Sequence, residues 1–231
     1  MFFDGKIKTV GKVDITLLKQ LLPLIAEDMW EFDNRRIINS NFSESHTVWF
    51  REFFPTTDDG LHYFDKLASF KNDNITFAWA TLNNQLEEIV NGKCVKSGVI
   101  RLFPGKKIER HVDGNTNIFK YCHRIVVPIT SNNKDFLYYD DGNNIVLDEG
   151  IVYDSNGYLP HWVINNGTEI LYTAVFDLFP NTDTHLTPIF HHDTKEERKK
   201  LKEISKVIAH KNQMLPNWEY YYNLEKERTS R

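Results

Sequence analysis

Three side chains that can bind a metal ion stand at suggestive positions in the sequence. His111 and Asp113 are separated by a single residue, and His161 lies 50 residues beyond the first histidine. Two histidines and one carboxylate form the facial triad that binds Fe(II) and leaves coordination positions open for oxygen chemistry. His191 and Asp193 have the same spacing, so a His-x-Asp pair is weak evidence on its own. If the first three side chains meet in the fold, the sequence predicts an iron-dependent oxygenase.

The residues around this pattern predict the strands that would position it. From about residue 97, short apolar runs alternate with turn residues, which is typical of an antiparallel sandwich or barrel. Residues i and i+2 of a strand point to the same side, so His111 and Asp113 are expected to share a face. In a jelly roll, the strand that begins at His161 can lie beside them. The expected strands cover residues 98–103, 107–111, 121–129, 136–140, 143–147, 150–153, 161–165 and 168–178.

Helices and one further strand are expected outside this region. Apolar residues at helical spacing predict a helix over 14–29, with Asp14 as its N-cap and Pro23 kinking or dividing it. A strand is expected at 47–54, and helices at 59–69, 83–91 and 193–211. We therefore expect a single domain, mainly β with flanking helices. It would have a helical or mixed part at 1–96, a jelly-roll core at 97–179 and C-terminal helices at 180–231.

Composition and charge narrow the class of protein. With 41% hydrophobic and 26% charged residues, the chain of 231 residues is typical of a soluble globular domain. Its net charge of −4 gives no reason to expect a nucleic-acid or membrane partner. No apolar run reaches the roughly 18 residues of a membrane span. Cys94 and Cys122 lack the spacing of a metal or redox pair, so we expect a reducing, cytoplasmic setting.

Arg124 is a charged residue inside an apolar run, residues 121–128, that we expect to form a buried strand. An unpaired charge in such a place is costly, so a partner is expected. Arginine matches a carboxylate in bidentate geometry. The partner is either an acidic residue of the fold or the carboxylate of a bound ligand, and the sequence leaves both open.

Several motifs are spread over residues 97–179: Pro104-Gly105, His111-Val112-Asp113, the run 123–129, Gly150, Pro160-His161-Trp162-Val163 and Phe176-Asp177. This set resembles the aspartyl/asparaginyl β-hydroxylases, a group of iron(II)/2-oxoglutarate-dependent dioxygenases. The resemblance implies a double-stranded β-helix, a cupin-like jelly roll. It also implies that His111, Asp113 and His161 bind Fe(II) and are catalytic, with 2-oxoglutarate and O2 as cosubstrates. The implied reaction hydroxylates an amino acid, free or within a peptide, while 2-oxoglutarate is oxidatively decarboxylated to succinate.

The sequence departs from that family at the position that should hold 2-oxoglutarate. Many members have an arginine about ten residues after the distal histidine, and this arginine binds the far carboxylate of the cosubstrate. Leu171 occupies the position here, and no cation follows in the same strand phase. We therefore assign the cosubstrate carboxylate to Arg124, with Arg101 and Lys120 as weaker candidates.

Other interpretations stay open. The chain could instead be a non-catalytic jelly-roll module that binds a ligand or partner, or a cupin-type metalloenzyme that does not use 2-oxoglutarate. A second group of metal-binding side chains has irregular spacing and is better explained as a loop in which Asp193 caps the final helix. This group comprises Asp183, His185, His191, His192 and Asp193. The C-terminal helices would allow a homodimer.

Three expectations concern the surroundings of the triad. The aromatic segment 48–51 is a candidate wall of a substrate pocket that takes a small amino acid or a peptide. Asn165 or Asn166 is expected to orient His161 as an outer-sphere partner. Trp162 is expected to point away from the metal, because successive side chains of a strand alternate.

Overall fold

The computed structural model of the chain describes residues 6–31, 44–55, 61–65, 72–113, 123–132, 135–139, 142, 144–157, 159–180 and 186–190. Three α-helices lie within these ranges, α1 (Thr16–Leu21), α2 (Glu27–Glu31) and α3 (Asp73–Val90), and a 3-10 helix (Leu22–Leu24) joins the first two. The strands are β1 (Ile7–Lys12), β2 (Ser45–Pro55), β3 (Leu61–Asp65), β4 (Gly92–Leu102), β5 (Lys107–His111), β6 (His123–Pro128), β7 (Asp135–Tyr139), β8 (Asn144–Ile145), β9 (Ile151–Ser155), β10 (His161–Asn165), β11 (Leu171–Pro180) and β12 (Leu186–Phe190).

The described strands form two sheets. The larger has the order β1-β9-β6-β11-β4-β2-β3-β12, and the smaller has the order β5-β10-β7-β8. Between β4 and β11 the chain passes repeatedly from one sheet to the other, which is the winding of a double-stranded β-helix. Paired strands run antiparallel except β3 and β12, which run parallel. The predicted jelly-roll class is confirmed.

The strands that were expected over 98–178 are all present, and β5 coincides with its expected range. β4 begins at Gly92, ahead of the expected start of the core at residue 97. β2 contains the strand expected at 47–54. The prediction of a helix at 59–69 is wrong for the part described, because β3 occupies Leu61–Asp65 and pairs with β2. This pairing outweighs the local helical pattern.

Two strands besides β3 were not expected. β1 adds to one edge of the larger sheet beside β9, and β12 adds to the other beside β3. Neither lies between clear turn signals, which is the feature that marked the core strands. The C-terminal helix expected at 193–211 lies outside the described residues, and so does Lys120. The five residues of the rival metal-binding group also lie outside them: Asp183, His185, His191, His192 and Asp193.

The helix expected at 14–29 is divided at Pro23, as predicted, into α1, the 3-10 helix and α2. The N-cap position of α1 is Ile15, one residue after the expected Asp14. Asp14 nevertheless accepts the backbone N–H of Thr16 at 2.9 Å. No helix of the described part combines the length and the apolar character needed to cross a membrane.

α3 is longer than expected and begins ten residues before position 83. Asn72 caps it, because its side chain accepts the backbone N–H groups of Asn74 and Ile75 at 3.1 and 3.2 Å. Asn91 ends it in the left-handed conformation, with φ of 49°. The extra turns carry apolar residues at helical spacing that reach the core.

The helices pack against the outer face of the larger sheet, the face that looks away from the smaller sheet. Trp79 of α3 stacks between Phe50 and Phe176, with ring centroids 4.1 and 5.1 Å apart. Its indole N–H donates to Ser97 Oγ at 3.0 Å. All three rings are buried, and they form the centre of the main hydrophobic core. The inner face of the larger sheet is therefore left to face the smaller sheet.

Candidate metal site

The smaller sheet brings the two histidines of the predicted triad side by side. β5 and β10 are antiparallel neighbours, and His111 is the register partner of His161. Their ring centroids lie 4.4 Å apart. The chain leaves β5 at this point, and the backbone N–H of Asp113 donates to Gly157 O at 2.7 Å. These contacts place one carboxylate beside two imidazoles.

The ligand atoms of the three side chains point at one another. The His111 Nε2 atom is 3.6 Å from Asp113 Oδ1, and the His161 Nε2 atom is 3.7 Å from Asp113 Oδ2. One ligand atom from each side chain can be chosen so that all lie within 4.8 Å of one another. Among the residues that the structure describes, this is the group of His, Cys, Asp or Glu side chains that could hold a metal ion. The spacing suits a shared cation.

Backbone carbonyls orient both imidazole rings. The Nδ1 of His111 is 2.7 Å from Glu109 O, and the Nδ1 of His161 is 2.8 Å from Leu159 O. A carbonyl oxygen only accepts hydrogen bonds, so each Nδ1 carries the proton in the neutral ring. Each Nε2 then presents its lone pair toward Asp113. A ring fixed by its other nitrogen is the usual arrangement of a metal-binding histidine.

The charges at the site favour the forms that bind a metal. Burial alone would raise the pKa of the Asp113 carboxyl, but the Arg124 guanidinium and the two histidines hold it well below its usual range. Burial lowers the pKa of His161, although the Asp113 carboxylate opposes this. The carboxylate is thus ionised and the imidazole of His161 neutral near pH 7, as a metal ligand set requires.

Gly157 leaves the room that Asp113 occupies. A Cβ atom added at position 157 would lie 2.5 Å from Asp113 Oδ2 and 2.8 Å from Asp113 Cβ. Such distances are too short for any side chain to be tolerated without movement of the carboxylate. The same glycine also accepts the backbone hydrogen bond from Asp113. Sequence reasoning missed this residue, because the contact crosses 44 positions.

Arg124 lies on the inner face of the larger sheet beside the triad. Its Nε and Nη2 donate to Asp177 Oδ1 and Oδ2 at 2.6 and 3.2 Å, and its Nη1 lies 3.2 Å from Asp113 Oδ2. Of the two kinds of partner that the sequence left open, the structure shows acidic residues of the fold. Burial raises the pKa of the Asp177 carboxyl, with Arg124 and Lys96 opposing.

Arg101, a weaker candidate for the cosubstrate anchor, is excluded by its position on the outer face. Its Nη1 donates to Glu27 Oε2 at 2.8 Å, and its guanidinium lies 4.6 Å from the centre of the Trp30 ring. It is the register partner of Tyr172, whose side chain belongs to the outer core. Arg101 therefore joins α2 to the sheet instead of facing the triad.

The aromatic segment 48–51 contributes one residue to the inner face. The Trp49 ring packs closely against Gly98, where an added Cβ would be 2.5 Å from Trp49 Cε3. Lys96 Nζ stands 4.0 Å from the centre of the same ring. Arg51 instead donates to Cys94 O at 2.7 Å and lies 3.7 Å from Glu87 on the helix side. Arg51 therefore pairs with an acidic residue of the fold and does not lie on the inner face.

The expectations for the neighbours of His161 have mixed outcomes. Trp162 points away from the triad, as predicted, and stacks on Tyr138 with ring centroids 5.4 Å apart. Asn165 does not orient His161. Its Nδ2 donates to Leu102 O and to Glu169 O, both at 2.8 Å, so it organises the turn between β10 and β11.

Leu171, at the position where the family resemblance expects an arginine, belongs to an apolar cluster between the sheets. It packs with Leu102 and Ile108, and Ile100 and Val163 lie against them. The space between the two sheets is therefore apolar around Leu171. Among the described residues, a cation at this position would be buried beside apolar side chains, which is costly.

Comparisons with known proteins agree with the architecture. No protein-family model matches the chain, and no curated protein matches it. Among solved structures, the non-haem monooxygenase ThoJ in complex with nickel aligns with a TM-score of 0.50 and 11% identity, over 92% of this chain and 96% of that one. A Pseudomonas putida prolyl-4-hydroxylase aligns with a TM-score of 0.46 and 12% identity, over 77% and 94% of the two chains. A Trichoplax adhaerens prolyl hydroxylase aligns with a TM-score of 0.47 and 13% identity, over 76% and 83%. At these identities the likeness concerns the fold, and the chain shares the jelly-roll fold of the monooxygenase.

Proposed function

We propose that this protein is an Fe(II)/2-oxoglutarate-dependent dioxygenase of the aspartyl/asparaginyl β-hydroxylase type. Its substrate would be an amino acid, free or as a side chain within a peptide. The observation that carries the proposal is the convergence of His111, Asp113 and His161, whose ligand atoms lie within 4.8 Å of one another. These residues are the proposed metal ligands and catalytic residues.

The donor set fits Fe(II). Two neutral imidazoles and one carboxylate on one side of an ion leave the opposite positions open for ligands. When bound, Fe(II) with 2-oxoglutarate supplies the oxidation of an unactivated C–H bond, with O2 consumed and succinate and CO2 released. The protein's own part is to hold the three ligands in place, which the backbone contacts of both histidines support.

The charges around the triad support a dianionic cosubstrate. Lys96, Asp177 and Arg124 are neighbours across three strands, since Asp177 is the register partner of both cations. With Asp113, the two cations and two carboxylates cancel. A divalent metal therefore leaves two positive charges, which 2-oxoglutarate, a dianion, would neutralise.

We assign Arg124 the contact with 2-oxoglutarate, because its Nη1 lies 3.2 Å from Asp113 Oδ2 and so places a cation beside the proposed metal ligands. The apolar surroundings of Leu171 offer no cation on β11 for this role. An amino-acid substrate is supported by Lys96 and the Trp49 ring beside it, which offer a cation and a flat apolar surface at the inner face.

One observation favours a second candidate. Because Leu171 is part of an apolar cluster, the far carboxylate of 2-oxoglutarate lacks the usual partner. A cupin-type metalloenzyme with the same triad and no keto-acid cosubstrate would need none. The two candidates share the metal site and differ in whether 2-oxoglutarate is consumed.

The test is a succinate assay with the whole protein, Fe(II), 2-oxoglutarate and ascorbate in air, over a panel of free amino acids and short peptides. We expect succinate to form, and one substrate to gain the mass of one oxygen atom. His161→Ala, checked for its fold by circular dichroism, is the control and should form none. Iron binding without succinate would favour the cupin candidate, and loss of all metal binding would leave a non-catalytic binding module.

A further inference from the structure

Asp177 is a buried carboxylate that lies next to the triad without belonging to it. Its side chain is on the inner face of β11, and the residue is 2% exposed. It holds the Arg124 guanidinium through both carboxylate oxygens, at 2.6 and 3.2 Å. The third nitrogen of the same guanidinium, Nη1, reaches Asp113 Oδ2 at 3.2 Å. Arg124 therefore links the buried carboxylate of Asp177 to Asp113, the candidate metal ligand.

We propose that Asp177 is a positioning residue that acts through Arg124 to keep Asp113 available to the metal and to set its orientation. The inference rests on the proposed function only in requiring that the triad bind a metal ion. It assigns a role to Asp177, which neither touches the metal position nor contacts the two histidines in the structure described.

Arg124 shares its positive charge between Asp177 and Asp113. One guanidinium is thus divided between two anions, and Lys96 beside Asp177 is the second cation of the group. Without the charge of Asp177, the guanidinium could turn its bidentate edge to Asp113 and neutralise it. A carboxylate so engaged would compete less well for a divalent cation. Asp177 thus prevents Arg124 from capturing the metal ligand.

The two carboxylate oxygens of Asp113 have different neighbours. The Oδ1 atom faces His111 Nε2 at 3.6 Å, whereas Oδ2 faces His161 Nε2 at 3.7 Å and also meets Arg124 Nη1 at 3.2 Å. When a cation donates a hydrogen bond to one carboxylate oxygen, the other oxygen is the better metal ligand. The arginine thus favours binding through Oδ1 alone. The orientation of the Arg124 guanidinium is fixed in turn by its two hydrogen bonds to Asp177.

The neighbouring residues provide a matched control. Asp154 is also buried, at 7% exposed, and its Oδ2 lies 2.7 Å from His123 Nδ1. It is the register partner of Ile125, which belongs to the outer core, so this pair is on the side of β6 that faces away from the triad. Asp154→Asn and Asp177→Asn each remove one buried charge from an acid–base pair beside the same strand. Only the second change alters a chain of contacts that ends at the metal ligand.

The experiment is an anaerobic titration of the full chain with Co(II). Calorimetry measures the affinity, and the visible absorption of bound Co(II) reports the geometry of the site. We expect wild type and Asp154→Asn to bind with the same affinity and spectrum. Asp177→Asn should bind about 10- to 100-fold more weakly, the usual effect of losing an outer-sphere partner, with a changed Co(II) absorption band. Asp177→Glu, which restores the charge, should recover part of the affinity.

The outcomes separate this inference from the proposed function. If the wild-type protein fails to bind Co(II), the proposed metal site is wrong, and both the proposed function and the positioning role of Asp177 are contradicted. If wild type binds and Asp177→Asn has the same affinity and band, the proposed function stands and the positioning role is overturned. Equal weakening by Asp154→Asn would also overturn it, since the effect would then be general destabilisation. Should Asp177→Asn not fold, Arg124→Lys replaces it, because lysine keeps the charge but cannot bridge both carboxylates. A wild-type spectrum and affinity in that variant would contradict the inference.

Discussion

The two candidate ligand histidines are oriented by the same local device. Each donates from Nδ1 to the carbonyl of the residue two positions earlier, Glu109 for His111 and Leu159 for His161. Each bond spans only two residues, one at the end of β5 and the other just before and at the start of β10. The direction of each Nε2 is therefore set locally, whereas the distance between the rings is set by the pairing of β5 with β10.

Substitution of Gly157 tests how closely the carboxylate must be placed. Gly157→Ala would put a Cβ 2.5 Å from Asp113 Oδ2, so the carboxylate must move. We expect metal affinity to fall at least tenfold, as for other losses of support around a ligand. The measurement is a Co(II) titration with Gly98→Ala as the comparison, because the added Cβ there meets the Trp49 ring and the Val48 carbonyl oxygen instead of Asp113. Wild-type affinity in Gly157→Ala would show that Asp113 is not held at this position.

Cys94 provides a pH test of the buried outer face. Burial raises the pKa of its thiol to about 12. The pKa of this thiol is therefore higher in the folded protein than in the unfolded chain. As a result, the contribution of Cys94 to the free energy of unfolding is fully present below about pH 9 and is lost as the pH rises above that value. In a Cys122→Ser background, we expect iodoacetamide to modify the native protein far more slowly than the urea-unfolded protein at pH 9. Equal rates would contradict the burial of Cys94.

At the scale of elements, α3 is the main cover of the larger sheet. Trp79 is 1% exposed and lies between two rings of the sheet, whereas Phe77 of the same helix is 67% exposed. We expect Trp79→Ala to lower the free energy of unfolding by about 3 to 5 kcal/mol. Phe77→Ala should change it by less than about 0.5 kcal/mol. Chemical denaturation of both variants measures this, and equal effects would show that α3 is not docked as described.

The elements also show what sequence patterns can and cannot predict. The core strands were predictable because apolar runs of strand length alternate with turn residues such as Gly142 and Gly150, both of which have positive φ. β3 was mistaken for a helix because its structure depends on pairing with β2. His111 and Asp113 were predictable from their spacing. The Arg124–Asp177 pair was not, because its members are 53 positions apart and meet only through the pairing of β6 with β11.

At the scale of the whole molecule, the winding of the β-helix assembles the site from distant parts of the chain. The smaller sheet supplies the two histidines, and the larger sheet supplies Arg124 and Asp177 on the facing side. A metal bound by the triad would join the side chains of β5 and β10 to Asp113 in the segment that follows β5. Binding to the folded state alone stabilises it by mass action.

We therefore expect thermal stability to depend on the metal. At a free Co(II) concentration 100 times the dissociation constant, the folded state should gain about 2.7 kcal/mol. For a chain of this size that corresponds to a rise in Tm of roughly 5 to 10 °C. Differential scanning calorimetry with and without a chelator measures the shift, and His111→Ala should abolish it. An equal shift in His111→Ala would place the stabilising metal elsewhere.

The most direct test of the central claim is an anaerobic optical titration of the metal-free protein, first with Fe(II) and then with 2-oxoglutarate. We expect a weak visible charge-transfer band that appears only when both are present, because the keto acid would then chelate iron held by His111, Asp113 and His161. His161→Ala should show no band. Iron binding without a band on addition of 2-oxoglutarate would contradict the account.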